Sequence, residues 1–300
     1  MMKKDISIIG VPIELGQSVA GVSKGPDAIR KAGIQQRLEN LSYRVHDVGD
    51  VEIDQPNSKN IQSKSKLKHL NEIAMSSERV AKVVDKVMDK QDFPLVLGGD
   101  HSMAIGSIAG IAKHYENLGV IWYDAHGDLN DAETSPSGNI HGMPLAVNMG
   151  IGHEKLTHIL DYQPKIKPEH IVIIGARSLD DGEKELIKNR GIRMYTMSEI
   201  KKLGIEKVMT ETITYLQNVT DGIHLSLDLD ALDPSETPGV GTPADGGISF
   251  EDSSIAMTVL SKADVVTSAE LVEVNPVIDQ GNKTAEIAVD LTELLFGKEK

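Results

Sequence analysis

The feature that most constrains the fold is the alternation of short apolar segments with segments of helical spacing. Strands are predicted at residues 6–11, 43–48, 93–99, 119–124, 170–176, 192–196, 222–230 and 263–274. Helices are predicted from Gly25, at 67–87, and at 102–116, 183–190, 205–218, 249–261 and 281–296. Eight strands that alternate with helices indicate an α/β fold in which a parallel sheet is covered on both faces.

The sequence favours a single domain over residues 1–300. Hydrophobic residues make up 40% of the chain, which is ample for a large core, and single α/β domains often reach this length. There is no internal repeat, low-complexity tract or convincing linker. Residues 51–65, which are rich in Ser, Asn and Lys, are predicted to form a surface connection.

Composition excludes several functional classes. The net charge of −14 and the pI near 5.1 argue against nucleic acid or an anionic membrane as a partner. Because there is no cysteine, disulfides and thiolate chemistry are excluded, and any metal must be bound through nitrogen and oxygen. No stretch approaches the roughly 20 apolar residues of a membrane span, and no signal-peptide cleavage site follows the short apolar run near the start. We therefore expect a cytoplasmic protein.

Acids and histidines follow four of the predicted strands. They are Asp100 and His101, then Asp124, His126 and Asp128, then Asp228 and Asp230, and finally Glu273. Ligands of open parallel sheets bind beyond the carboxyl ends of the strands, so these side chains should meet at one rim. Alternate residues of an extended chain point the same way, which predicts that the acids and the histidine of "DAHGD" converge, as do the two acids of "DLD".

Two imidazoles and four carboxylates gathered at one rim are typical of a binuclear metal site. The predicted ligands are His101, Asp124, His126, Asp128, Asp228 and Asp230. Four bare carboxylates about 4 Å apart would repel one another by roughly several kcal/mol per pair. Two divalent cations balance these charges and leave a bridging hydroxide as a natural further ligand. An oxygen-rich, sulfur-free set favours Mn²⁺ over a structural Zn²⁺.

The simpler interpretation is that these polar residues cap strands and helices. It suits Asp100, which is placed to cap the helix that starts near Ser102. Three such motifs at successive strand ends favour the metal site for the others.

The motifs "GGDHS", "DAHGD", "SGNIHGMP" and "SLDLDALDP" resemble those of the ureohydrolases, and specifically of the arginase family. The resemblance covers nearly the whole chain, from "GVPIELGQ" to "EVNP". It implies a three-layer α/β/α fold on an eight-stranded parallel sheet, as in arginases and deacetylases, with two manganese ions per subunit in a homo-oligomer, a trimer or hexamer. One manganese would be held by His101, Asp124, Asp128 and Asp228, and the other by Asp124, His126, Asp228 and Asp230.

The resemblance also implies roles for His141 and Glu273. A histidine in a loop such as "SPSGNIHGMP" is commonly an exposed bystander, but the family has a general acid at this position, and imidazole titrates near neutrality. Glu273 is an acid on an otherwise apolar predicted strand, so a cationic partner is expected. An internal salt bridge to Arg or Lys is the alternative and suits Glu270 better. The resemblance assigns Glu273 to the substrate guanidinium, which matches a carboxylate through two parallel hydrogen bonds.

Five further residues match positions that contact the rest of the substrate: Asn130, Ser137, Asp180, Glu183 and Thr242. The first two are implied to bind an α-carboxylate, the next two an α-amino group, and the last to line the pocket. For each, an ordinary helix cap or loop polar group is the alternative.

Two positions depart from the family pattern. Gly127 stands where many relatives have Thr, and a side chain at this position is expected to point away from the metals. Ser178 stands where some arginases have Asp, which leaves the details of amino-group recognition open.

The implied reaction is the hydrolysis of L-arginine to L-ornithine and urea. Hydroxide would attack the guanidinium carbon, Asp128 would pass a proton to the leaving amine, and His141 would support that step or exchange protons with solvent. The alternatives are an agmatinase or guanidinobutyrase, a deacetylase-like hydrolase with one metal, and a non-catalytic arginine-sensing module.

Overall fold

Eight strands form one sheet in the computed structural model, which describes residues 5–56 and 66–297. The strands are β1 (Ile6–Val11), β2 (Val45–Asp50), β3 (Phe93–Gly98), β4 (Leu118–Tyr123), β5 (Ile171–Ala176), β6 (Arg193–Thr196), β7 (Gly222–Asp228) and β8 (Val266–Val272). Their order is β2-β1-β3-β8-β7-β4-β5-β6, and each neighbouring pair is parallel. The predicted eight-stranded parallel sheet is confirmed.

Helices connect the strands within the described residues. They are α1 (Gly25–Lys31), α2 (Ile34–Asn40), α3 (Leu70–Asp89), α4 (Ala104–Ala112), α5 (Pro144–Asn148), α6 (Glu154–Thr157), α7 (Asp181–Arg190), α8 (Met197–Leu203), α9 (Ile205–Val219), α10 (Phe250–Ala263) and α11 (Lys283–Leu295). Every predicted helix has a counterpart, whereas the short α2, α5, α6 and α8 were not predicted. The helix predicted at 102–116 is shorter because His101–Met103 forms a 3-10 turn before α4 begins.

Alternate side chains of the strands pack into two separate apolar cores. In β4, Ile121 and Tyr123 belong to the core that also contains residues of α1, α2 and α8 to α11. Val120 and Trp122 belong to the core that contains residues of α3, α4, α5 and α7. A strand with both faces buried reads as a continuous apolar run, which is why "GVIWY" shows no alternation. Helices therefore cover both faces of the sheet in three layers.

Helix α4 is buried on every side and begins at Ala104, one 3-10 turn after the predicted metal ligand His101. Its two glycines, Gly106 and Gly110, lie one turn apart and face α3. A β-carbon on either would come within 2.5 Å of a backbone carbonyl of α3, at Ser77 or at Ala81. Only glycine allows this approach, which fixes α4 and the chain entering it against the sheet.

No helix among residues 5–56 and 66–297 has the length and apolarity needed to cross a membrane. Of the surface connection predicted at 51–65, residues 57–65 lie outside the described residues.

Candidate metal centre and substrate cavity

The four central strands of the sheet carry the predicted chemistry at their carboxyl ends. The neighbouring strands β3, β8, β7 and β4 are followed or closed by His101, Glu273, Asp228 and Asp124, respectively. Each of these residues is at most 2% exposed. Because the strands are parallel and adjacent, residues that are up to 172 positions apart in sequence become neighbours.

Turns, rather than extended chain, bring the acids of each motif together. Strand β4 ends at Tyr123, and the Asp124 carboxylate then accepts a hydrogen bond from the backbone N–H of His126 at 2.7 Å. The Asp228 carboxylate accepts one from the N–H of Asp230 at 2.7 Å in the same way. Asp128 has a left-handed φ of 51°. The prediction of convergence through strand alternation was therefore wrong in its geometry, because each aspartate bends its own backbone.

Three of the predicted aspartate ligands surround the His101 imidazole and form a first group with it. Its Nδ1 lies 3.1 Å from an Asp124 oxygen, 3.0 Å from Asp128 and 3.0 Å from Asp228. Ligand atoms of His101, Asp124 and Asp228 all lie within 4.8 Å of one another, which suits a shared cation.

A second group shares Asp124 with the first. It consists of Asp124, His126 and Asp230, whose ligand atoms again lie within 4.8 Å of one another. The Nδ1 of His126 is 3.1 Å from Asp230 and 3.5 Å from Asp124. All six predicted ligands thus meet at one place, in two groups joined by one carboxylate.

The chemistry of this cluster fits divalent cations. The Nδ1 of His101 and one oxygen of Asp124 are buried without a hydrogen-bond partner. Burial raises the pKa of Asp128 to about 6 and, together with the charges of Asp230 and Asp124, raises the pKa of Asp228 well above its usual value. Acids held together at this cost of desolvation are stabilised when cations compensate their charge. Nitrogen and oxygen donors without sulfur suit manganese.

A buried hydrogen-bond chain orients His101. Its Nε2 lies 2.8 Å from the Ser226 hydroxyl, which donates to Glu270 at 2.7 Å. Since the Ser226 proton is used in this way, Nε2–H of His101 must be the donor, so the lone pair of the neutral ring is at Nδ1, on the side of the acids, where a metal would bind. The imidazole also stacks on Trp122, with ring centroids 4.2 Å apart. The prediction that Glu270 pairs with Arg or Lys was wrong: this carboxylate accepts from the hydroxyls of Ser226 and Ser107, and the His224 imidazole lies 3.4 Å away.

Glu273 lies just beyond β8, with a left-handed φ of 66°, and its carboxylate is held from several sides. It accepts from the backbone N–H of His101 at 2.9 Å and from the side chain of Gln17 at 2.7 Å. Gln17 was not predicted, although it lies in the quoted "ELGQ" segment. Its own carbonyl oxygen is buried without a partner. These contacts fix the direction of the carboxylate.

His141 is not the exposed bystander that its loop suggested. Its side chain is only 17% exposed, and Nδ1 lies 3.5 Å from Glu273. Burial lowers its pKa, but the Glu273 carboxylate outweighs burial and raises the pKa to about 9. The imidazole therefore connects the buried acids with the cavity above them.

A cavity of about 200 Å³ opens over the metal cluster. Its lining includes His141 and all five predicted substrate residues: Asn130, Ser137, Asp180, Glu183 and Thr242. The Thr242 hydroxyl donates to Asp230 at 3.1 Å, which links the cavity wall to a predicted metal ligand.

Glu183 joins the metal loop to the first turn of α7. Its carboxylate accepts from the backbone N–H groups of Leu129 at 3.0 Å and Asp180 at 2.8 Å. Asp180 caps α7 and accepts from the side-chain amide of Asn130 at 2.9 Å. Asp180 and Glu183 therefore cap helix α7 and line the cavity at the same time. Burial raises the pKa of Glu183 to about 7.

The same carboxylate accounts for Gly127. A β-carbon at this position would lie 2.9 Å from the Glu183 carboxylate and 3.0 Å from the Leu179 side chain. The position faces α7, and glycine gives the Glu183 carboxylate room beside the metal loop. Ser178, the other departure, lines the cavity.

Arg177 is a further residue that the sequence did not identify. Its guanidinium donates to the backbone carbonyls of Asp230, Leu232 and Ala244, among others, at 2.7 to 3.1 Å. It therefore fixes the turn that carries Asp230 against the loop that precedes α10.

Comparisons with known proteins agree with this geometry. The sequence model of the arginase family matches residues 4–297. The arginase of Bacillus caldovelox is 58% identical over 98% of this chain and 99% of its own length. Its structure at pH 5.6 superposes with a TM-score of 0.97, covering 99% of both chains.

More distant structures share the same architecture. Arginase from Bacillus subtilis is 57% identical, with a TM-score of 0.94 and 99% of both chains covered. Arginase of Entamoeba histolytica, solved in complex with L-ornithine, is 34% identical, with a TM-score of 0.89 and 99% of both chains covered.

Proposed function

The chain belongs to the arginase family and is a hydrolase that acts on arginine, and we propose that it hydrolyses L-arginine to L-ornithine and urea with two manganese ions per subunit. The observation that carries this proposal is the meeting of six histidine and aspartate ligands and Glu273 beneath a cavity lined by the five predicted substrate residues. The Entamoeba relative, whose structure contains L-ornithine, supports the choice of amino-acid product.

The cations would be held by these six residues, with Asp124 and Asp228 shared between the two ions, as the family resemblance implies. His101, Asp124, Asp128 and Asp228 would hold one, and Asp124, His126, Asp228 and Asp230 the other. When bound, the two cations supply Lewis acidity and lower the pKa of water, so that a nucleophile is available at neutral pH.

Glu273 binds and orients the guanidinium. Its carboxylate is buried and fixed by His101 and Gln17, so it presents a preorganised acceptor to a planar cation. The guanidinium carbon is thereby held over the cluster that contains Asp128. Proximity of this kind is itself a large part of catalysis.

Two side chains handle protons. The carboxylate of Asp128 receives the proton of the attacking water and delivers it to the substrate Nε, which leaves as the side-chain amine of ornithine. His141 is partly exposed and contacts Glu273, so its Nδ1 exchanges protons between the site and solvent.

The amino-acid end of the substrate meets the loops. Asp180, assisted by Glu183, accepts from the α-amino group, and Ser137 donates to the α-carboxylate. Asn130 gives one amide hydrogen to Asp180 and keeps a second for the carboxylate. Thr242 completes the pocket wall. From the family membership we also propose that the protein is cytoplasmic and forms a homo-oligomer, a trimer or a hexamer.

A side-by-side assay of arginine and agmatine tests the substrate. We expect urea from arginine far in excess of that from agmatine, which lacks the carboxylate. In Asn130→Asp the added charge repels a carboxylate, so the ratio of arginine to agmatine kcat/KM should fall by roughly tenfold or more. Asn117→Asp, at the half-buried position just before β4, is the matched control. Preference of the unsubstituted protein for agmatine would refute the arginase assignment.

A further inference from the structure

The cavity has a charge imbalance that an amino-acid ligand must overcome. The described residues that line it include five carboxylates and neither Lys nor Arg; the five are Asp128, Asp180, Glu183, Asp228 and Asp230. Bound cations would offset the acids of the metal cluster, but that cluster is at the opposite end of the cavity from the loops that would meet the amino-acid group. His141, a lining histidine outside the metal cluster, has a raised pKa but lies against Glu273, so a positive charge at the rim would favour a free α-carboxylate.

Lys68 lies at that rim. Its backbone N–H donates to the carbonyl of Gly138 at 3.0 Å, which ties the residue to the loop carrying Ser137 and Asn139. Its ammonium group donates to the side-chain oxygen of Asn139 at 2.7 Å. Asn139 lines the cavity, so Lys68 is one side chain away from the space that a ligand occupies.

The contact also determines what Asn139 offers to a ligand. Its amide oxygen accepts from Lys68 and from the Ser18 hydroxyl, at 2.7 and 3.3 Å. The NH₂ group is then the part of the amide left for other partners. Lys68 therefore contributes both a positive charge and a fixed hydrogen-bond donor, and carboxylates accept from such donors.

We propose that Lys68, acting with Asn139, is a specificity-determining residue that selects ligands with an α-carboxylate over the corresponding amines. The inference rests on the proposed function for the identity of the ligand, an arginine-like amino acid. It predicts that Lys68 strengthens the binding of carboxylate ligands and that a neighbouring exposed lysine does not.

Lys68→Met removes the charge and keeps the length of the side chain. Lys66→Met is the matched control, because Lys66 is also exposed on this segment but donates to the backbone carbonyl of Glu133. Lys68→Arg keeps the charge and should restore the preference. Melting temperature and manganese content verify that each variant is folded and loaded.

The decisive measurement is calorimetric binding of L-ornithine and of putrescine, which lacks the carboxylate, to the manganese-loaded protein. We expect Lys68→Met to weaken ornithine binding by about tenfold and putrescine binding hardly at all. The KM for arginine should rise by a similar factor with little change in kcat. The difference should shrink as salt is raised, because the ammonium group is exposed.

Three results would overturn the proposal. They are a Lys68→Met variant that behaves like Lys66→Met, an equal loss of ornithine and putrescine binding, and an unsubstituted protein that does not bind ornithine. Failure of the unsubstituted protein to release urea from arginine would instead refute the proposed function, and ornithine binding would still decide the role of Lys68.

Discussion

The metal cluster and the amino-acid rim lie on opposite sides of one cavity but are built differently. Asp124 and Asp228 sit at the ends of central strands and are at most 2% exposed. Ser137 and Lys68 sit on loops and are exposed. The ligand geometry is thus tied to the sheet, whereas the groups that recognise the amino acid can change without disturbing it. Substitutions in the two regions should accordingly fail in different ways.

The largest effect is expected for Asp228→Asn, in the centre of the cluster. Loss of a charged ligand should remove bound manganese and lower kcat/KM by at least about a thousandfold. Metal analysis and urea release measure both quantities. Asp233→Asn, in the half-buried turn that follows, is the control and should keep its manganese. Retention of two manganese ions by Asp228→Asn would contradict the ligand assignment.

Glu273→Gln should separate substrate binding from metal binding. The variant keeps the shape of the side chain but loses the charge that pairs with guanidinium, so kcat/KM for arginine should fall by about a hundredfold or more. Manganese content should be unchanged, because Glu273 is not among the ligands. Loss of manganese together with activity would show that Glu273 belongs to the metal cluster.

Ser226→Ala should affect metal affinity without abolishing activity. It removes the acceptor for Nε2–H of His101, and such outer partners typically contribute about ten- to a hundredfold to metal affinity. Activity should return at saturating Mn²⁺. Ser253→Ala is the control, since that buried hydroxyl contacts the Tyr123 hydroxyl instead. Equal manganese affinity in both variants would rule out a special role for Ser226.

The smallest effect is expected for Gly127→Ala. The new methyl group would press on the Glu183 carboxylate, and we expect the free energy of unfolding to fall by about 1 kcal/mol. The penalty should shrink when Glu183 is already replaced by Ala, leaving only the contact with Leu179, so a double-mutant cycle in thermal stability measures the coupling to Glu183. Additive losses would mean that Glu183 is not the reason for glycine.

Much of the fold follows from local pattern. Buried strands such as β3 and β4 are continuous apolar runs, and acids at their ends follow from the rule that ligands bind at the carboxyl edge of a parallel sheet. The strand order is not local: β8, late in the chain, lies between β3 and β7. That order is what brings Glu273 beside His101, and the sequence alone did not provide it.

The supporting contacts of the site were the hardest to predict. Gln17 and Glu273 are 256 positions apart, and Ser226 and Glu270 are 44 apart on neighbouring strands. Gln17 has no distinctive spacing in the sequence. The hydrogen bonds of Arg177 go to backbone carbonyls, which every residue type has, so no sequence pattern indicates them. The roles of motif residues came from the family resemblance, whereas their partners came from the structure.

The central claim is that the carboxyl edge of the sheet holds a two-metal centre that hydrolyses arginine. The most direct test strips the protein of metal and restores Mn²⁺ stepwise while urea release from L-arginine and bound manganese are both measured. We expect no urea from the stripped protein and full activity as occupancy approaches two ions per chain. Full activity without metal, or saturation at one ion per chain, would contradict the account.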